Sequence, residues 1–192
     1  MHIVASQMSL PPSLFTWPYI HILINHFPVV LSTVGLAVAI LALILGRRSL
    51  WIYAMATLTI AGVVVYPVRF TGDQADHALR DPWYIAKGAI DAHDDASLWA
   101  MIFLLAVGAV SAYGWWRAVK RPEEPIPGWI KASVLVLGLF GFATIARTAY
   151  LGGKIIHEAP ILSLPTAPAN LPPGIAAPPG APGGGGEAPP TQ

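Results

Sequence analysis

Segments 17–45, 50–69, 93–116 and 128–151 are long apolar runs whose few charges lie near their ends. A helix needs about 20 such residues to cross a hydrocarbon core roughly 30 Å thick. Only 11% of the 192 residues are charged and the mean hydropathy is +0.58, whereas a water-soluble domain carries about 25% charged residues. The predicted fold is therefore all-α: an integral membrane four-helix bundle inserted in a lipid bilayer.

The flanks are read from turn chemistry. Residues 1–16 form a leader broken by Pro11 and Pro12, with Thr16 as N-cap and Pro18 in the first turn of helix one. The leader lacks a basic n-region, so the first helix is expected to stay in the membrane. Pro28 lies inside that helix and is expected to kink it by freeing the carbonyl of Ile24. Gly46-Arg47-Arg48 ends it. After helix two, Thr71-Gly72-Asp73-Gln74 reads as a capping box that starts a short outer amphipathic helix over Asp76, His77 and Leu79. Asp81-Pro82 ends that helix, and Trp83 and Tyr84 read as interface aromatics. Asp91 is expected to cap helix three. Residues 122–127 form a Pro-rich turn, and helix four is expected to continue as far as His157. Residues 159–192 are rich in Pro, Gly and Ala and read as a disordered tail. No internal repeat is evident.

Four spans place both termini on one side. Arg47, Arg48, Arg117, Lys120, Arg121 and Lys131 lie in or beside the two short loops, and Arg69, Arg80, Lys87, Arg147 and Lys154 lie toward the other face. The denser basic loops are expected in the cytoplasm, with both termini outside. All six histidines then fall on the outer side: His2, His21, His26, His77, His93 and His157. Any one of them alone reads as an ordinary interfacial side chain. Together, on several helices of one bundle, they form a candidate site, because four-helix bundles build cofactor sites from side chains on facing helices. By depth, His26 pairs with His93 and His21 with His157. His21 and His26 point about 140° apart on a regular helix and cannot share one ion.

Arg69 precedes Asp73 by four residues, a spacing that permits an ion pair. Arg147 begins a stripe through Tyr150, Lys154 and His157. Guanidinium groups beside histidines suit an anionic group such as a haem propionate. The blander role is to snorkel to the interface. Gly62, Ala96, Ser97, Ala100 and Gly152-Gly153 either admit a flat cofactor or serve as helix-packing contacts.

The chain has no cysteine, which excludes disulfides, thiolate metal sites, cysteine-held iron–sulfur clusters and covalent c-type haem. There is no basic patch interleaved with aromatics, so nucleic acid is not an expected partner. Ser97 and Ser111 lack a base partner, there is no phosphate loop, and no independent catalytic constellation emerges. The stretches from Val29 to Leu45 and from Val134 to Phe142 carry no polar stripe able to line a pore.

His21-x4-His26-Phe27-Pro28, Thr71-Gly72, His93 at the head of helix three, and Gly152-Gly153-x3-His157 together resemble an uncharacterised family of bacterial four-helix membrane domains. The resemblance spans residues 19–158 and departs at Ile22, where the family usually has proline. Members are sometimes fused to Rieske or cytochrome c domains. The resemblance thus implies a place in the bacterial inner membrane and a role in membrane electron transfer beside such a partner.

Three functional expectations follow. The first is a redox protein holding b-type haem through His21, His26, His93 and His157, with Arg69 and Arg147 at the propionates, passing electrons between a quinol pool and an outer partner. The second is a membrane protein that binds or transports zinc, iron or copper through the same four histidines. The third is a cofactor-free structural subunit.

Overall fold

The protein was analysed as a computed structural model that describes residues 16–79 and 87–157. The leader, the Asp81-Pro82 break, Trp83, Tyr84 and the tail lie outside the described residues.

The first span is two helices, α1 (Trp17–Ile24) and α2 (His26–Leu45). Thr16 occupies the N-cap position in extended conformation, with Pro18 in the first turn. The break at Asn25 has a simple origin. Pro28 has no N–H to give the carbonyl of Ile24, so the hydrogen-bond ladder loses a rung there. The helix is thus interrupted where Pro28 was expected to disturb it, and Asn25 itself keeps right-handed helical angles (φ -64°, ψ -20°). Gly46 ends α2 with φ 62°, the left-handed C-terminal geometry that glycine adopts without a Cβ penalty.

The second span, α3 (Arg48–Leu79), departs from expectation. Thr71-Gly72-Asp73-Gln74 does not start a new helix, and α3 runs through it without interruption. The Thr71 hydroxyl donates to the carbonyl of Val68 at 2.9 Å inside the helix, so it caps nothing. The expected outer amphipathic helix is the last turns of α3. The third span, α4 (Lys87–Lys120), starts before Asp91, which is therefore an interior residue and not the cap. The fourth, α5 (Gly128–His157), runs to His157 as expected.

All four spans are long and apolar enough to cross a membrane, and among the described residues there is no strand. Neighbours pack in the order α2, α3, α4, α5, with α5 closing on α2 and α1 lying along α3. Small side chains let the helices approach. Ala39, Ala42, Ala54 and Ala61 are fully buried among Met55, Leu58, Leu104, Val107, Ile130 and Val134. Backbone meets backbone where Gly62 of α3 faces Gly108 of α4: a Cβ built on Gly62 would stand 2.9 Å from the Gly108 Cα. Close backbone approach of this kind substitutes for the hydrophobic drive that lipid cannot supply. The outer face is apolar: Ile44 is 72% exposed and Val63 69%, an arrangement suited to lipid chains and costly in water.

The two ends differ. At one, Arg48 donates to the carbonyls of Ala118 (2.9 Å), Arg121 (3.1 Å) and Glu124, clipping the start of α3 to the end of α4 and the turn beyond it. Arg117 and Arg121 both pair with Glu124. The histidines gather at the opposite end.

Candidate functional site: a paired-imidazole end

Of the expected histidines whose side chains the structure describes, His21 and His93 turn inward and His26 does not. His21, on α1, donates its Nδ1 hydrogen toward the carbonyl of Val68 and the hydroxyl of Thr71, each at 3.2 Å. A carbonyl only accepts, and the Thr71 hydrogen is already given to Val68, so the Nδ1 of His21 must carry the proton. His93, on α4, does the same to the carbonyl of Thr148 at 2.9 Å. In each neutral ring the Nε2 then carries the lone pair, which takes no hydrogen bond from the described residues; this is the tautomer that a metal-ligating histidine needs. Both imidazoles stand at the same end of the bundle, where Arg69 of α3 reaches Asp94, the neighbour of His93.

His26 points outward. It is exposed, and its Nδ1 bonds back to the carbonyl of Ile22 in its own chain segment at 3.1 Å. The break at Asn25 separates it from His21 without turning it inward. The pairing by depth of His26 with His93 is therefore replaced by His21 with His93. His157 is the last residue of α5, and its side chain lies outside what the structure describes. His77 is exposed near the end of α3.

Arg69 of α3 lies at the same end of the bundle. Its guanidinium pairs with Asp73 (Nε–Oδ1 3.1 Å), with Asp94 (Nη1–Oδ1 2.7 Å) and with the Ser97 hydroxyl. The expected Arg69–Asp73 pair is present, and Asp94, the residue after His93, extends it across to α4. Asp73 acts electrostatically on His21, and Asp94 and Arg69 on His93. One charged bridge thus joins α3, which holds the His21 ring, to α4, which carries His93. Arg69 already has two carboxylate partners and is not a free anion receptor. Arg147 is exposed on the outer face of α5, a position for snorkelling and not for the site. Ser97, read from sequence only as a small residue, is part of the Arg69 bridge.

The arrangement is built twice. His21 and His93 are 72 residues apart. The buried positions of α2 (Pro28, Ser32, Gly35, Leu36, Ala39, Ala42) recur 72 residues later in α4 as buried Ala100, Leu104, Val107, Gly108, Ser111 and Gly114. Buried Ala54, Leu58, Ala61, Val65 and Val68 of α3 recur 80 residues later in α5 as Val134, Gly138, Gly141, Ile145 and Thr148. Val68 and Thr148, which accept the two imidazole hydrogens, are thus equivalent. So are Gly72 and Gly152, one turn on, each lying against the ring its helix anchors. His77 and His157 follow their glycines by the same five residues. The chain is two helical hairpins of like design, although no repeat is evident in the sequence.

Among the described residues, no three His, Asp or Glu side chains come together as a metal-holding group. Comparison with known proteins adds no relative: no family model matches the chain, and neither a curated protein nor a solved structure does.

Proposed function

We propose that the protein is a membrane redox-cofactor protein in which His21 and His93 would hold a b-type haem near one membrane face. The observation that carries this reading is the matched pair of Nδ1–carbonyl hydrogen bonds, which leaves two Nε2 lone pairs at one end of the bundle. Two imidazoles, with no third His, Asp or Glu grouped with them among the described residues, suit an iron whose remaining ligands come from a macrocycle; a bare zinc or iron ion usually takes four or more. Such a group supplies one-electron chemistry. The protein's part is to hold the rings, fix their tautomer, and set the surrounding charge through Arg69, Asp73 and Asp94.

The dense arginine loops at the opposite end favour a cytoplasmic location for that end by the positive-inside rule, which puts the imidazoles and both termini on the outer side of a bacterial inner membrane. Electrons would pass from a quinol in the bilayer to an outer partner of the Rieske or cytochrome c type, the association suggested by the family resemblance.

The test is the visible spectrum of the detergent-purified protein, oxidised and dithionite-reduced, after expression with added haem. A Soret band with sharp reduced α and β bands is expected. His21→Ala and His93→Ala should each lose it, and His26→Ala should keep it. A featureless spectrum from folded, haem-replete protein refutes the reading; stoichiometric bound metal without that spectrum replaces the haem with a histidine-held ion.

A further inference from the structure

The two inward imidazoles are held by the same two-part device. A helix carbonyl accepts the Nδ1 hydrogen, and a glycine four residues further along the same helix lies against the ring. A Cβ at Gly72 would stand 3.1 Å from the Cε1 and 3.4 Å from the Nδ1 of His21. At Gly152 it would stand 3.1 Å and 3.2 Å from the same atoms of His93. Both separations are tighter than ordinary van der Waals contact, so any side chain there moves the ring. Neither glycine is required by backbone conformation, because both lie inside regular helices with φ negative. Glycine inside a helix weakens it, and here the ring contact explains its presence.

We infer that Gly72 and Gly152 are positioning residues that fix the plane of the His21 and His93 imidazoles, and through it the electronic state of the group the rings ligate. This rests on the haem reading for the group but not for the rings. The two copies are unequal in one respect. His21 shares its hydrogen between Val68 and Thr71 at 3.2 Å each, whereas His93 gives all of its hydrogen to Thr148 at 2.9 Å. The residue equivalent to Thr71 is Leu151, which has no hydroxyl. A shorter, unshared hydrogen bond makes its ring the more basic ligand. His93 is thus the stronger donor of the pair.

The chain provides its own controls. A Cβ at Gly153 or Gly88 meets nothing within 4 Å. The variants are Gly72→Ala, Gly152→Ala, Gly153→Ala and Gly88→Ala, with Thr71→Val and Thr71→Ser as probes that add no bulk against the ring. Two readouts separate the layers of the argument. Imidazole 15N shifts of the haem-free protein report which nitrogen carries the proton. Low-temperature EPR of the haem-loaded ferric protein reports ligand-plane orientation through its largest g value.

Gly72→Ala and Thr71→Val are expected to perturb the His21 signals alone, and Gly152→Ala those of His93 alone. Thr71→Ser should restore the His21 signals, and the two control glycines should change nothing. In the loaded protein, Gly72→Ala and Gly152→Ala should shift the largest g value with haem content retained. Unchanged 15N signals in both site glycine variants, or shifts as large in Gly153→Ala, overturn the inference. The expected 15N pattern in a protein that never takes up haem would uphold the ring-positioning role and overturn the haem reading by itself.

Discussion

Gly62→Ala is the variant whose effect the structure specifies most closely. The new Cβ would stand 2.9 Å from the Cα of Gly108 and 2.9 Å from the carbonyl oxygen of Leu104. Both are backbone atoms, so no side chain can swing aside. Carbon atoms settle at about 3.5–4.0 Å, so α3 and α4 must separate by roughly 0.8 Å at this level. A gap of that size forfeits about a third of the attraction of each contact across the seam, where each is worth about 0.15 kcal/mol. For about 40 affected atom pairs, the complement of one buried leucine, the loss is roughly 2 kcal/mol, within the range for overpacked cores. Alanine returns up to about 1 kcal/mol of helix propensity over glycine. The net expectation is destabilisation of about 1 kcal/mol, and Gly62→Leu should cost about 3 kcal/mol or more. Gly153→Ala has the same propensity gain with nothing to strike and should stabilise by about 0.5–1 kcal/mol. The assay is reversible unfolding in mixed micelles. If Gly62→Ala stabilises as Gly153→Ala does, the backbone crossing is not as close as described and the reasoning fails.

Other outcomes follow from single interactions. Arg48→Ala removes three charge-assisted bonds to the carbonyls of Ala118, Arg121 and Glu124, so it should destabilise by about 2–3 kcal/mol and speed proteolysis between residues 121 and 127, as limited digestion would show. Pro28→Ala restores a partner to the carbonyl of Ile24 and should close the break at Asn25. That turns His21 away from Val68, so haem content should fall while helicity by circular dichroism holds or rises. Arg69→Gln leaves Asp73 and Asp94 without their shared cation. The bound group should then become easier to oxidise, read as a lower midpoint potential in a redox titration, and a rise would contradict the proposed placement. His26→Ala and Arg147→Ala, both on exposed side chains, should leave haem content within error of the parent in a pyridine haemochrome assay.

The spans were legible because bilayer thickness sets a length that apolar runs either meet or miss, and the Pro28 break because a missing N–H has one local consequence. The Thr71-Gly72-Asp73-Gln74 turn failed for an equally physical reason. Its residue types suit a cap, but Thr71 and Gly72 are needed where His21 docks, and tertiary contact overrode the local preference. Depth along the spans could be read from the sequence for the histidines, but pairing them by depth took no account of rotation. His26 and His21 belong to one span but face apart, and only the packing of α1 along α3 decides which faces inward. Arg69 was visible as an ion-pair residue, and its reach to Asp94 on another helix was not. The duplication had a faint signal. Phe70-x-Gly72 with His77 five residues on, and Tyr150-x-Gly152 with His157 five residues on, stand 80 residues apart. The helices between them share buried positions and few identities, so the repeat emerges only when burial is aligned.

The two-hairpin design has a consequence for assembly. Each hairpin brings one imidazole together with the carbonyl and glycine that orient it, so each half of the site is complete in itself as soon as its own two spans are in the bilayer. The pair, however, comes into being only when the second hairpin docks on the first across α3 and α4. Capture of the proposed haem is then the last event in maturation. A chain interrupted after α3 would present one oriented imidazole of the proposed pair and could not hold the group.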